Sequence, residues 1–481
     1  MFDPESYPME VFGVDVDNGN SNYDNDNDDK NQISTEQIDY QTEDYNVNNS
    51  RSSNPDSNVS YCGIKANSIL SGVLNISAST IGAGCFTFPW IISTLGFFNS
   101  IFIFSVVSGC IYYSLDLLRS FVVDTKNFSF SSITDKTLGK KWLMLYSFSS
   151  FIYYLSININ YLSLLYSIFK SLFIDNQTFY GFIFLLVSCS CEIFLCLYTS
   201  KTTKMHLLSI ITMFSFAFIV LVTTIEGIHS FFGNDYDKFN RKKLLNPSED
   251  QGRWQMFFMS ITACIKYIYG YSYHSSFPTL LGNLKNINDS TSKKVHKISF
   301  YIICGSYILI SFFGYLIEEP VPRVLYRGYE DSNEKDYFTI ALKFIIFVFL
   351  FTLIPSRYIT IRDGYTCLIG KENLTYKKDL LITTLSLVIS NCIVFLNEEV
   401  INDESNIEID IFSIFVYIFG GLFGVIICFG LPVINYAAIN GKKKFKSLIG
   451  YIITGIFFVV GLLSFGYSFN EMFIPKKEEE E

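Results

Sequence analysis

"STIGAGCFTFP" occupies Ser79 to Pro89, inside a stretch near residues 68–91 that is otherwise apolar enough to cross a bilayer. Glycine loosens a helix and proline removes a backbone donor, so a regular span has reason to exclude both. One such interruption could be a packing notch at Gly82 and Gly84, or a kink at Pro89. A second changes the reading. "YGYSYHSSFPTLLGN" (269–283) again runs from a glycine, Gly270, through Ser272, His274, Ser275 and Ser276 to a proline, Pro278, within an apolar segment.

The rest of the chain says what those breaks interrupt. Of 481 residues, 49% are hydrophobic and only 17% charged, against roughly 25% charged in a soluble domain. The net charge of −9 is not evenly spread. Residues 1–60 carry 14 Asp and Glu against Lys30 and Arg51, which leaves the remainder at +3. That first segment is rich in Asn, Asp, Ser and Tyr and reads as a disordered acidic tail, with neither a basic start nor an apolar core to make it a signal peptide. No basic stripe suggests nucleic acid. Nine of the 11 cysteines fall in apolar segments, the other two being Cys62 and Cys367, and none forms a cluster suited to zinc. No metal or cofactor is expected.

Eleven candidate spans follow, near 68–91, 98–118, 142–169, 179–199, 206–231, 255–282, 298–317, 337–355, 379–396, 409–433 and 448–468. The expected fold is therefore an all-α integral membrane bundle, because only helices or closed barrels satisfy their backbone in lipid. With a cytosolic N-terminus, the cytosolic side collects 20 Lys and Arg, Arg357 and Arg362 among them, against 11 opposite. The loop "NEEVINDESNIEID" (397–410) has no basic residue and fits the outside, as does the glycosylation triplet Asn176-Gln177-Thr178. The expected organisation is an acidic tail over 1–60, a transmembrane domain over 65–468 and a short charged tail over 469–481.

The interrupted spans are the first and the sixth, corresponding positions of two five-helix halves. Discontinuous helices so placed point to a secondary transporter built from inverted repeats. Unwound backbone at the midplane frees N–H groups at half-helix starts and carbonyls at half-helix ends. The former suit a carboxylate, the latter an ammonium or a cation. Both are present on an α-amino acid, so the breaks are the expected substrate site, formed by Thr80, Ile81, Gly82, Ala83 and Gly84 with Gly270, Ser272, Tyr273 and His274.

"LNISASTIGAGCFTFPW" (74–90), "YSYHSSFPTLLGNLKNINDSTSKKVHKISFYIICGSYILISFFGYL" (271–316), "IPSRYITIRDGYTCLIG" (354–370) and "GGLFGVIICFGLPVINY" (420–436) resemble, in order, the first span, the sixth and seventh, the end of the eighth, and the tenth of the amino acid/auxin permeases, within the amino acid–polyamine–cation superfamily. The resemblance implies an eleven-span amino acid carrier, coupled to protons or sodium, with a cytosolic N-terminus. Sodium-coupled members carry an Asn four residues before the first Gly of the GxG, where this chain has Ala78. Their second sodium group is a Thr on the eighth span, and the matching "FIIFVFLF" (344–351) has no side-chain oxygen. The family's sixth-span His stands five residues before Pro, whereas His274 stands four before Pro278. These departures imply proton coupling or facilitated transport.

Ionisable groups inside spans are functional candidates. Asp116 and Arg119 are three apart and are expected to form a surface pair. Glu192, Lys266 and Lys343 lie deeper. Lys343 is placed to substitute for a sodium ion, and an imidazole, the side chain of His274, ordinarily titrates near neutral pH, so His274, Lys343 and Glu192 are the proton-coupling candidates. No carboxylate stands in either break, which favours neutral amino acids, and Phe86, Phe88, Tyr269, Tyr271 and Tyr273 suit a large or aromatic side chain. The four histidines are too scattered for a catalytic centre, so an enzyme is not expected. The expected function is a secondary transporter of neutral amino acids in a plasma or vacuolar/lysosomal membrane, with a non-transporting sensor using the same pocket as the alternative.

Overall fold

A computed structural model describes residues 60–61, 64–65, 67–173, 187–196, 202–232, 252–285, 287–317, 321, 325, 337–370, 376–396, 416–440 and 445–473. The acidic tail, the triplet at Asn176, the 397–410 loop and residues 474–481 lie outside them.

A two-residue hairpin, Ser60–Tyr61 with Ile64–Lys65, precedes a bundle of helices. They are α1 (Ile69–Thr80), α2 (Phe88–Leu95), α3 (Phe97–Thr125), α4 (Phe130–Leu138), α5 (Lys140–Phe173), α6 (Val187–Cys196), α7 (Thr202–Phe232), α8 (Arg253–Gly270), α9 (Phe277–Gly282), α10 (Asp289–Ile317), α11 (Tyr337–Ile369), α12 (Tyr376–Phe395), α13 (416–440) and α14 (Phe445–Phe473). Seven of the described helices are long and apolar enough to cross a membrane alone, and α1 with α2 makes an eighth across a 54° bend. Of the eleven expected spans, the one near 179–199 lies partly outside the described residues, α8 and α9 are interrupted, and α5 buries a polar set that includes Ser156, Asn158 and Asn160. A helix enclosed by its neighbours need not be apolar all round.

Both breaks are built alike. The side chain of Ser68 caps α1 by accepting from the Ser71 N–H at 3.1 Å, and α1 ends where Ile81 turns extended. A 3₁₀ turn over Ala83–Thr87 leads into α2, with Pro89 in its first turn. Likewise α8 ends at Gly270, and α9 begins with Pro278 in its first turn. There a missing N–H costs nothing, since helix-start donors have no internal partner anyway. Each proline marks the beginning of a second half-helix, and not a kink within one.

The eighth span departs from expectation. It was expected to end at 355, yet α11 runs unbroken to Ile369 with Pro355 inside it. Pro355 removes one bond from the helix ladder, and packing holds the turn in place, Leu353, Ile354, Tyr358 and Ile361 being core residues. Arg357 therefore belongs to the core and not to a cytosolic loop. α11 packs along α5 more extensively than any other pair of described elements, and α10 packs on both α1 and α2. α13 winds as π turns over Val416–Gly424 and Ile426–Gly430.

At the end of the bundle that holds the α3–α4 and α9–α10 connections, buried Arg119 donates to Asp116 at 2.9 Å, to Asp289 of α10 at 2.6 Å and to the Ser292 hydroxyl at 3.2 Å. The expected surface pair is in fact a clasp between two helices, centred on a buried arginine. A separate ion pair, Arg362 with Asp379 at 3.0 Å, joins α11 to α12.

Candidate functional site

The two breaks touch backbone to backbone. A Cβ on Gly84 would lie 3.4 Å from Gly270 Cα, and one on Gly82 would lie 2.2 Å from the Tyr161 hydroxyl of α5. A side chain at Gly82 would have to displace the Tyr161 ring. Thr80, Ile81, Ala83, Ser272, Tyr273 and His274 are all fully or almost fully buried, so the site is closed to solvent in this conformation.

The half-helix carbonyls are engaged. Tyr307 of α10 donates its hydroxyl to the Gly270 carbonyl at 2.6 Å, with the Thr80 carbonyl at 3.5 Å. Arg357 reaches both breaks. Its Nη1 donates to the Ser272 carbonyl at 2.5 Å and its Nη2 to the Thr80 carbonyl at 3.4 Å and the Tyr161 hydroxyl at 3.3 Å. The end of α1 and the segment after α8 thus share one guanidinium. Its Nε is buried without an acceptor.

The aromatic residues form the walls. Phe88 packs edge-on against Tyr267 at 4.9 Å and Tyr307 at 5.1 Å, and Phe86 against Phe349 at 5.9 Å. Tyr269 accepts from Asn160 Nδ2 at 2.6 Å, and Tyr271 bonds Ser108 at 2.9 Å. Lys266 Nζ sits 3.9 Å over the Trp90 ring, fastening α8 to α2. Its aliphatic stem is buried and its charge faces the π cloud.

Of the residues expected at the breaks, Thr80, Gly82, Gly84, Gly270 and Ser272 are joined through Tyr161, Tyr307 and Arg357. Ile81 and Ala83 lie between them in the first break, and Tyr273 and His274 follow Ser272, with the His274 ring 5.8 Å from that of Tyr273. Both ring nitrogens of His274 are buried without a partner, and His296 of α10, stacked on Tyr112 at 4.7 Å, is its titratable neighbour. Glu192 and Lys343 lie elsewhere. Glu192 is buried among Cys189, Cys196 and Asn391. Lys343 is 14 residues before Arg357 on the same helix, about 21 Å along its axis and out of reach of the break carbonyls. A cation does stand against those carbonyls, but Arg357 supplies it. A sequence signal existed, since Arg357 lies in "IPSRYITI", an arginine flanked by apolar residues on both sides.

A family profile described as transmembrane amino acid transporter protein matches residues 65–474. No curated protein matches the sequence significantly. Among solved structures, the manganese transporter of Eremococcus coleocola in complex with an aromatic bis-isothiourea substituted compound is 12% identical, with a TM-score of 0.55 over 85% of this chain and 88% of that one. A Na+-coupled sialic acid symporter in its substrate-bound outward-open state is also 12% identical, with a TM-score of 0.51 over 82% and 90%. At that identity the likeness speaks to fold alone, and the fold is one shared with membrane transporters. Together with the profile, this makes the chain a non-enzymatic, multi-pass member of the transmembrane amino acid transporter family.

Proposed function

We propose that this protein is a secondary transporter of neutral amino acids, driven by a proton gradient or by the substrate gradient alone, with its N-terminus in the cytosol of a plasma or vacuolar/lysosomal membrane. The observation that carries the reading is the paired break itself. Half-helix ends meet at one buried centre, where the carbonyls now held by Tyr307 and Arg357 are of the kind that suits an α-ammonium and the half-helix starts are of the kind that suits an α-carboxylate. No carboxylate lies in either broken stretch, so a cationic side chain would find no counter-charge. Sodium needs oxygen ligands, and the carbonyls of Thr80 and Ser272 are already engaged by Arg357. Transport follows when the helices around the breaks rock and expose the centre to one side and then the other. His274 is the proton candidate nearest the centre, with Glu192 and Lys343 as candidates farther off.

The test is uptake of labelled neutral amino acids into proteoliposomes in sodium-free buffer, with and without an inward proton gradient. Gradient-stimulated uptake supports coupling, and uptake indifferent to the gradient supports facilitation. Uptake that requires sodium overturns the coupling assignment.

A further inference from the structure

We infer that Arg357 is the carboxylate receptor of this transporter, and that in the empty protein its guanidinium fills the cation place between the two breaks. The inference rests on the reading of the chain as an amino acid carrier, and names the group that reads one end of the substrate.

Three observations support it. Arg357 is among the largest fully buried side chains of the molecule, on a helix enclosed by α5 and α7. A guanidinium cannot shed its proton, so its charge stays in the bundle. Among the described residues no carboxylate pairs with it, and its partners are two backbone carbonyls and one tyrosine hydroxyl. A buried cation held only by neutral dipoles is expensive, and the expense falls when an anion arrives.

The donors are also in surplus. Arginine presents five N–H groups in a planar fork, and three acceptors are engaged while Nε has none. Carboxylates match such a fork with two parallel bonds. The carbonyls that Arg357 now holds, at Thr80 and Ser272, are the groups an α-ammonium would seek. Substrate binding is therefore an exchange. The ammonium takes the carbonyls, the guanidinium turns to the carboxylate, and the buried cation acquires the counter-charge it lacks in the empty state. Tyr161 is the pivot, since its hydroxyl contacts Nη2 and its ring lies 5.9 Å from the guanidinium carbon.

The experiment compares each labelled neutral amino acid with its primary amide, which keeps the ammonium and the side chain but has no carboxylate. Uptake competition in proteoliposomes and ligand-induced shifts in Tm are both measured on the full chain. The wild type should prefer the acid over the amide roughly 10- to 100-fold, the range of a charge-assisted bond. Arg357→Met should bring that ratio to about one. Arg357→Gln, which keeps a donor for the Ser272 carbonyl, should do the same and serves if the first variant does not fold. A variant that folds and keeps the wild-type ratio overturns the inference. Thermal shifts without uptake would sink the transport reading alone, with Arg357 still judged by the acid-to-amide ratio of the shifts. Neither uptake nor shift from any amino acid would overturn both.

Discussion

Arg119 and Arg357 are almost equally buried, 3% and 2% exposed, yet they stand in opposite circumstances. Arg119 has two carboxylates and a hydroxyl within hydrogen-bond reach, and its charge is answered inside the protein. Arg357 has carbonyls and a phenol, and its charge is answered by dipoles only. Burial alone does not tell a fastening from a binding group; the sign and completeness of the partner set does. A satisfied arginine holds α3 to α10. An incompletely satisfied one stands where two helices come apart.

The largest effect expected from breaking this contrast is on uptake. Arg357→Met should reduce it at least roughly tenfold while Tm changes little, because relief of a desolvated charge is offset by the Ser272 and Thr80 carbonyls that lose its donors. Arg119→Met should do the reverse, lowering stability by about 1–2 kcal/mol, since Asp289 is well exposed and Asp116 only partly buried. If both substitutions lowered Tm equally, the distinction between the two arginines would collapse.

Gly82→Ala probes the other wall of the guanidinium. Its Cβ would meet the Tyr161 hydroxyl at 2.2 Å and so displace the ring that steadies Arg357. Uptake should fall by about tenfold, a cost typical of misplaced binding groups, and Tyr161→Phe in the same chain should recover part of it by making room. Failure of the second substitution to help would mean that Gly82 acts through backbone freedom instead.

The mildest changes sharpen the contrast from outside. Asp289→Asn removes one of two carboxylates from Arg119 and should cost only about 0.5 kcal/mol, read from chemical or thermal unfolding. Lys343→Met, about 21 Å from Arg357, should leave the acid-to-amide ratio within roughly twofold of wild type. A larger change would move the cation role back toward Lys343.

Much of this was legible in the residues. Two glycine-to-proline interruptions, at 82–89 and 270–278, predict broken spans one and six, and both are broken there. Asp116 and Arg119 pair as their spacing predicts, though Asp289, 170 positions away from Arg119, is what makes the pair a clasp. Arg357 was misread for a local reason. Pro355 looks like a helix stop and a charge two residues later looks like the loop beyond it, and only tertiary packing makes a proline-bearing, arginine-bearing turn part of a core helix. The helix α5 was legible too, since the span expected near 142–169 falls within Lys140–Phe173, although its buried serines and asparagines dilute the apolar signal.

The half-helices have one more consequence, for how such a chain enters a membrane. α1 is about 18 Å long, α2 about 12 Å and α9 about 9 Å, while the hydrocarbon layer is about 30 Å thick. None of these pieces can stay in lipid by itself with its loose end unsatisfied. The carbonyl at Gly270 is covered by a side chain from α10, and those at Thr80 and Ser272 by one from α11, helices made later in synthesis. The first and sixth spans must therefore wait, half-finished, for α10 and α11 to leave the ribosome, and the proposed substrate site forms only once both have arrived.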